Sequence, residues 1–130
     1  MTDYPVLHLP QECLPAAPRL FARRVAGDSM TGDDIRDGDF VLCDPDREPE
    51  DGDIAIVFVH DWRSPVTGHL CTGRVIKHVR FRPDGMTLES SNLAYPPMTL
   101  TAANKPRVEA VAVGVVRHIG DAGVPTAPAR

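Results

Sequence analysis

Lysine is nearly missing from this chain. Its 14 basic residues include only two lysines, Lys77 and Lys105, so any chemistry that needs an amine has two candidates. Long apolar runs are missing as well. No stretch approaches the roughly 18 residues of a membrane-spanning helix, so no membrane partner is expected. The N-terminus shows no basic segment followed by an apolar block, so no secretory leader is read and a cytoplasmic location is expected. Cys13, Cys43 and Cys71 are an odd count without a C-x-x-C pair, which argues against a disulfide framework and for free thiols in a reducing compartment. Cys43, His69 and Cys71 make a weak metal candidate by spacing, and neither a cofactor nor a metal is expected. An excess of positive charge is also absent. A net charge of −4 and a pI near 5.6 exclude a domain that grips nucleic acid by itself, because phosphate binding needs clustered Lys and Arg. Basic residues gather locally at Arg23 and Arg24 and between Arg74 and Arg82.

What is there reads as one globular domain of 130 residues, 42% hydrophobic and 25% charged. Residues 1–19 carry Pro5, Pro10, Pro15 and Pro18 and are expected to form an extended arm. The domain runs over residues 20–119, and a tail, "GDAGVPTAPAR", follows from residue 120. Short apolar stretches separated by turns predict strands over residues 20–25, 40–43, 54–60, 73–81, 86–90 and 108–119. D-G turns precede the second and third of these, and Pro83-Asp84-Gly85 predicts a hairpin. The last strand, "VEAVAVGVVRHI", is nearly continuous in apolar residues and reads as buried on both faces. Residues 61–72 read as a long loop with Trp62 exposed in it. No segment shows a helical period. The fold class is therefore mostly β, a curved sheet or partly closed barrel.

Two residues stand out against this background. In "RRVAGDSMTGDDIRDGDF" the chain leaves a strand, breaks at Gly27 and presents Ser29. A serine there is either an ordinary turn residue or one held out for chemistry. In "RVIKHVRF" side chains alternate across a strand, which sets Arg74, Ile76, His78 and Arg80 on one face and Val75, Lys77, Val79 and Phe81 on the other. Lys77 falls on the apolar face. Burial disfavours the ammonium form, and a neutral amine beside a serine hydroxyl is a general base beside a nucleophile. A lysine whose stem packs while its head reaches water is the ordinary alternative. His78 points away from Lys77; His60 and His69 end the predicted loop, and His8 and His118 lie in the arm and near the tail.

The order of "RVAGDSM", "IRDGDFVLCD", "EDGDIAIVFV", "VIKHVR", "LESSNLAYPPMTL" and "VAVGVVRHI" resembles the S24 peptidase domain, the C-terminal domain of the LexA and phage repressors and of UmuD, over about residues 20–119. The resemblance implies a Ser–Lys dyad with Ser29 as nucleophile, Lys77 as general base, and the backbone N–H groups of Asp28 and Ser29 as oxyanion hole. Asn92, Tyr95 and Pro97 match a turn of the family and read as structural. The resemblance also implies a homodimer, a tie to the SOS response to DNA damage, stimulation by a RecA filament, and cleavage of itself or of a partner protein. A non-enzymatic accessory to a translesion polymerase is the competing implication.

Three departures accompany the match. Val75 stands where relatives carry a threonine two residues before the lysine, the loop before Lys77 is longer, and no helix-turn-helix segment precedes the domain. The family cuts at Ala-Gly or Cys-Gly in a loop upstream of the serine. Residues 1–20 hold no glycine, and Ala26-Gly27 is too near Ser29 to fold back onto it. That leaves Ala122-Gly123 in the tail or a separate protein, with the separate protein preferred.

Overall fold

The structure is a computed structural model and describes residues 9–118. Residues 1–8 of the arm, Ile119 and the tail with its Ala122-Gly123 bond lie outside the described residues. Strands β1 (Phe21–Arg24), β2 (Phe40–Asp44), β3 (Ile54–Arg63), β4 (Leu70–Arg82), β5 (Gly85–Glu89), β6 (Met98–Thr101) and β7 (Arg107–Val116) form one antiparallel sheet. The order is β1-β2-β7-β3-β4-β5-β6, with β1 and β6 at the edges, so the sheet is open and not a closed barrel. Three single turns of 3-10 helix, at Gln11–Cys13, Thr31–Asp33 and Ala102–Asn104, are the helical content of the described residues. The first follows Pro10, so the arm from residue 9 on is not extended throughout.

Alternation along the strands divides the core into two layers. Ile54 and Ile56 of β3 face one side, with Val41 and Cys43 of β2 and Ala110 of β7; the segment after β1 covers them with Val25, Met30 and Ile35. Ala55, Val57 and Val59 face the other side and pack with Val79, Leu88, Met98 and Leu100. Leu100 lies on β6, three strands from β3. Val79 of β4 and Leu88 of β5 lie between them and make the layer continuous.

The segment predicted as a long loop is mostly strand. β3 continues to Arg63 and β4 begins at Leu70, leaving a short connection that Ser64 closes by donating its N–H to the His69 carbonyl at 2.9 Å. The register explains why alternation failed to show it. Val59 pairs with Gly73 but Trp62 pairs with Cys71, so β3 carries one extra residue, a β-bulge at His60-Asp61. Asp61 has φ 50 there, and its N–H donates to Thr72 Oγ1 at 2.9 Å. The extra residue inverts parity, so Trp62 takes the apolar face that Asp61 would otherwise occupy. Trp62 is half-buried against the second layer and not exposed. Strand β6 was not expected from the sequence, because two prolines precede its four residues. Phe81, read on the apolar face of β4, is exposed near the hairpin end.

β7 also differs from expectation. It is central in hydrogen bonding, between β2 and β3, but only Ala110 and Val111 are buried, and Val115 is exposed. A register shift against β3 places Glu109 beside Arg74 and Arg107 instead of in a core layer. Just past β7, Arg117 donates from Nε and Nη2 to both oxygens of Asp39 at 2.9 and 2.7 Å, and from Nη2 to the Asp34 carbonyl at 2.6 Å. Asp39 is 3% exposed. The Arg117 hydrogen bonds hold its carboxyl below the usual carboxylate range, against the opposing push of burial. Asp39→Asn strips Arg117 of its charge partner. It is expected to cost about 3 kcal/mol in a denaturant titration, the low end for a broken buried pair because Arg117 is partly wetted. The depressed Asp39 pKa means that this stabilisation is present above about pH 4 and is lost as pH falls further. The wild-type and Asp39→Asn stabilities should therefore converge in strong acid.

Candidate active site

Ser29 is set in place by its neighbours. β1 is continued by the Val25 N–H to Asp39 carbonyl bond at 2.8 Å, and Gly27, at φ +91, then turns the chain out of the sheet. The Gly27 N–H is caught by Asp37 Oδ1 at 2.7 Å. Just past the serine, Met30 is 2% exposed and anchors the loop in the first core layer. From the other side the loop after β5 holds the serine segment by its backbone. The N–H groups of Ser91 and Asn92 both donate to the Ser29 carbonyl, at 3.1 and 3.2 Å. Gly32 makes this approach possible, since a Cβ there would lie 2.1 Å from the Ser91 carbonyl oxygen. Asn92 Nδ2 donates to the Asp28 carbonyl at 3.0 Å, and the Tyr95 hydroxyl donates to the Asp28 carboxylate. That bond, together with the carboxylate charge, raises the Tyr95 pKa.

Lys77 lies on the apolar face of β4 and is 9% exposed. Its Nζ is 2.7 Å from Ser29 Oγ, drawn as donor to the hydroxyl, and 5.8 Å from the centre of the Tyr95 ring. Burial lowers its pKa, against a smaller opposing contribution from Cys71. Lys105, the other lysine, is exposed at φ 45 after the Ala102–Asn104 turn. The Asp28 and Ser29 amides, expected as oxyanion donors, have no acceptor among the described residues.

His78, next to Lys77, serves the opposite face of β4. Its Nε2 is 2.7 Å from Asp33 Oδ2, on the loop that carries Ser29, and its Nδ1 is 2.9 Å from the Gly52 carbonyl. Burial pushes its pKa down, but the Gly52 carbonyl and the Asp33 carboxylate outweigh that, and the net shift is upward. Two further histidines lie elsewhere: His60 sits at the bulge beside Asp61 and His69 is exposed at the hairpin. Cys43 and Cys71 belong to opposite core layers, so their spacing in sequence with His69 does not become a shared site. Burial pushes the Cys43 thiol up to about 12.

The sequence pointed to Ser29, Lys77, Asp28 and the parity that buries Lys77. It did not point to Gly32, Ser91, Asp33 or the clamping role of His78. The one signal it offered was the glycine three residues after the serine, in a loop with no turn type that demands it.

Fold and site together give a mostly β domain with a hydroxyl and a buried amine in hydrogen-bond contact. The Peptidase S24-like family model matches residues 2–115, and the chain belongs to that family. It is 33% identical over 98 residues to a LexA repressor of Syntrophotalea carbinolica, covering 75% of this chain and 43% of that protein. It is 34% identical over 103 residues to a LexA repressor of Desulfatibacillum aliphaticivorans, covering 76% and 44%. To LexA repressor 2 of Pseudomonas syringae pv. tomato it is 32% identical over 112 residues, covering 86% and 50%. The chain thus spans half or less of the length of these relatives.

Two outcomes follow from the site's electrostatics. Lys77→Met removes a desolvated amine and keeps its stem, and is expected to raise stability by about 1–2 kcal/mol in chemical denaturation. The raised His78 pKa means that the stabilisation from the Asp33 pair is complete below about pH 6.5 and is lost as pH rises through the folded-state value. His78→Gln should flatten that part of the stability–pH curve, with the folded imidazole titration followed by NMR.

Proposed function

We propose that this domain is a serine peptidase in which Ser29 and Lys77 form the catalytic dyad. The observation that carries the reading is the 2.7 Å contact between Ser29 Oγ and a lysine amine kept 9% exposed on an apolar strand face. In its neutral form the amine accepts the hydroxyl proton as Oγ attacks a peptide carbonyl. The N–H groups of Asp28 and Ser29 receive the charge that develops on the carbonyl oxygen. The resulting ammonium returns its proton to the leaving amine, and the same amine then activates the water that releases the acyl group. Val75 offers no hydroxyl to orient Lys77; the Tyr95 ring and the Ser29 loop do that here. The similarity to LexA repressors supports a role in the response to DNA damage, a homodimeric state, and a substrate that is either the chain's own polypeptide or a separate protein.

Purified protein incubated alone and with candidate substrates near pH 10, followed by mass spectrometry, tests the reading. Ser29→Ala should abolish cleavage. Lys77→Arg, which keeps the charge but cannot accept a proton, should lower the rate by on the order of 10²–10⁴-fold while the protein stays folded. Because burial lowers the Lys77 pKa, the rate should climb with pH and level off before the ordinary lysine range near 10.4. An active Lys77→Arg enzyme, or a rate that falls between pH 7 and 9 in folded protein, would defeat the dyad.

A further inference from the structure

Two cavities are lined by Lys77, one of them also by Ser29, and their linings differ in kind. One, of about 380 Å³, is walled by Trp62, Val66 and Cys71 of the β3–β4 hairpin and by Tyr95, Pro96 and Met98 opposite; Lys77 is the one charged side chain on it. The other, of about 330 Å³, reaches Ser29 past Arg23, Arg24 and Arg74, and no carboxylate among the described residues lines it. Arg74 is paired with Glu109, which Arg107 shares. Arg24 is exposed, its guanidinium 5.2 Å from the centre of the Phe40 ring.

Val75 and Lys77 line both cavities. They belong to the part of β4 that pairs with β3 alone, since pairing with β5 begins at His78. An extended peptide laid along that edge passes the dyad with one side chain in each cavity. Ser90 lines the apolar cavity, and its Oγ is buried without a hydrogen-bond partner among the described residues.

We infer that the substrate is an extended segment with a bulky apolar side chain on one side of the scissile bond and an acidic side chain on the other, selected by the Trp62–Val66 cavity and by the exposed guanidinium of Arg24. The inference rests on the peptidase reading and names the substrate class for it. It also gives the long hairpin a role in recognition, because the bulge turns Trp62 inward and makes the hairpin a wall of the apolar cavity.

Trp62 is the only tryptophan of the chain, so its emission reports on that cavity directly. The test uses Ser29→Ala protein and blocked twelve-residue peptides with a central Ala-Gly. Phe and Glu are placed two residues to either side, in both orders, with Arg replacing Glu as control. One order is expected to bind saturably and change Trp62 emission, and the Arg control to bind about tenfold more weakly or worse. Arg24→Glu should cause a similar loss, rescued by the Arg peptide, and Val66→Asp should weaken binding of the Phe peptide. Equal binding of Glu and Arg peptides in both orders, no binding in either, or binding without a change in Trp62 emission would overturn the inference. Wild-type protein separates the two readings. Selective binding without cleavage counts against the peptidase and leaves the recognition standing, whereas cleavage without charge preference does the reverse.

Discussion

The rest of the structure turns on keeping one amine out of water. An ammonium on the apolar face of a strand is unfavourable, and β4 carries Lys77 there between Val75 and Val79. The molecule does not relieve this with a carboxylate. It brings a neutral hydroxyl to 2.7 Å and an aromatic face to 5.8 Å, partners that leave the depressed pKa in place. A carboxylate in the same position would have stabilised the charged form, raised the pKa and kept the amine protonated. The Asp28 carboxylate of the serine loop is engaged by the Tyr95 hydroxyl.

The hydroxyl reaches this amine because three unlike interactions converge on one loop. Met30 is buried in the first core layer, the Ser91 and Asn92 amides hold the Ser29 carbonyl, and His78 pairs with Asp33. The last of these depends on pH. Rising pH discharges His78 and weakens its hold on the loop. One strand therefore carries, at adjacent positions and on opposite faces, an amine that gives up its proton more readily than an ordinary lysine and a clamp that loses strength as pH rises.

Much of the fold was legible because alternation is a strong signal where one face is buried. It located β1, β2, most of β3, β4 and β5, and it put Lys77 on the correct side. It failed where parity breaks. The bulge at His60-Asp61 made Asp61-Trp62-Arg63 look like loop, and the shift at Glu109 made β7 look more deeply buried than it is. β6 was hidden behind Pro96 and Pro97. In the candidate site, residue types with intrinsic chemistry could be read, whereas Gly32 and Ser91 act through backbone proximity between distant parts of the sequence, which no local pattern encodes.

The bulge has a consequence for how this domain can change over time. Beyond it the hairpin has its own parity, and the pairing that fixes Lys77 lies on the near side. Insertions or deletions in pairs within residues 62–71 would keep the same faces turned inward, while single ones would exchange the lining for its polar reverse. Neither would disturb the alternation from Val75 to Val79. The wall of the cleft and its chemistry are therefore mechanically uncoupled, and the hairpin is the part of the domain that can diversify between lineages while the strand behind it stays constant.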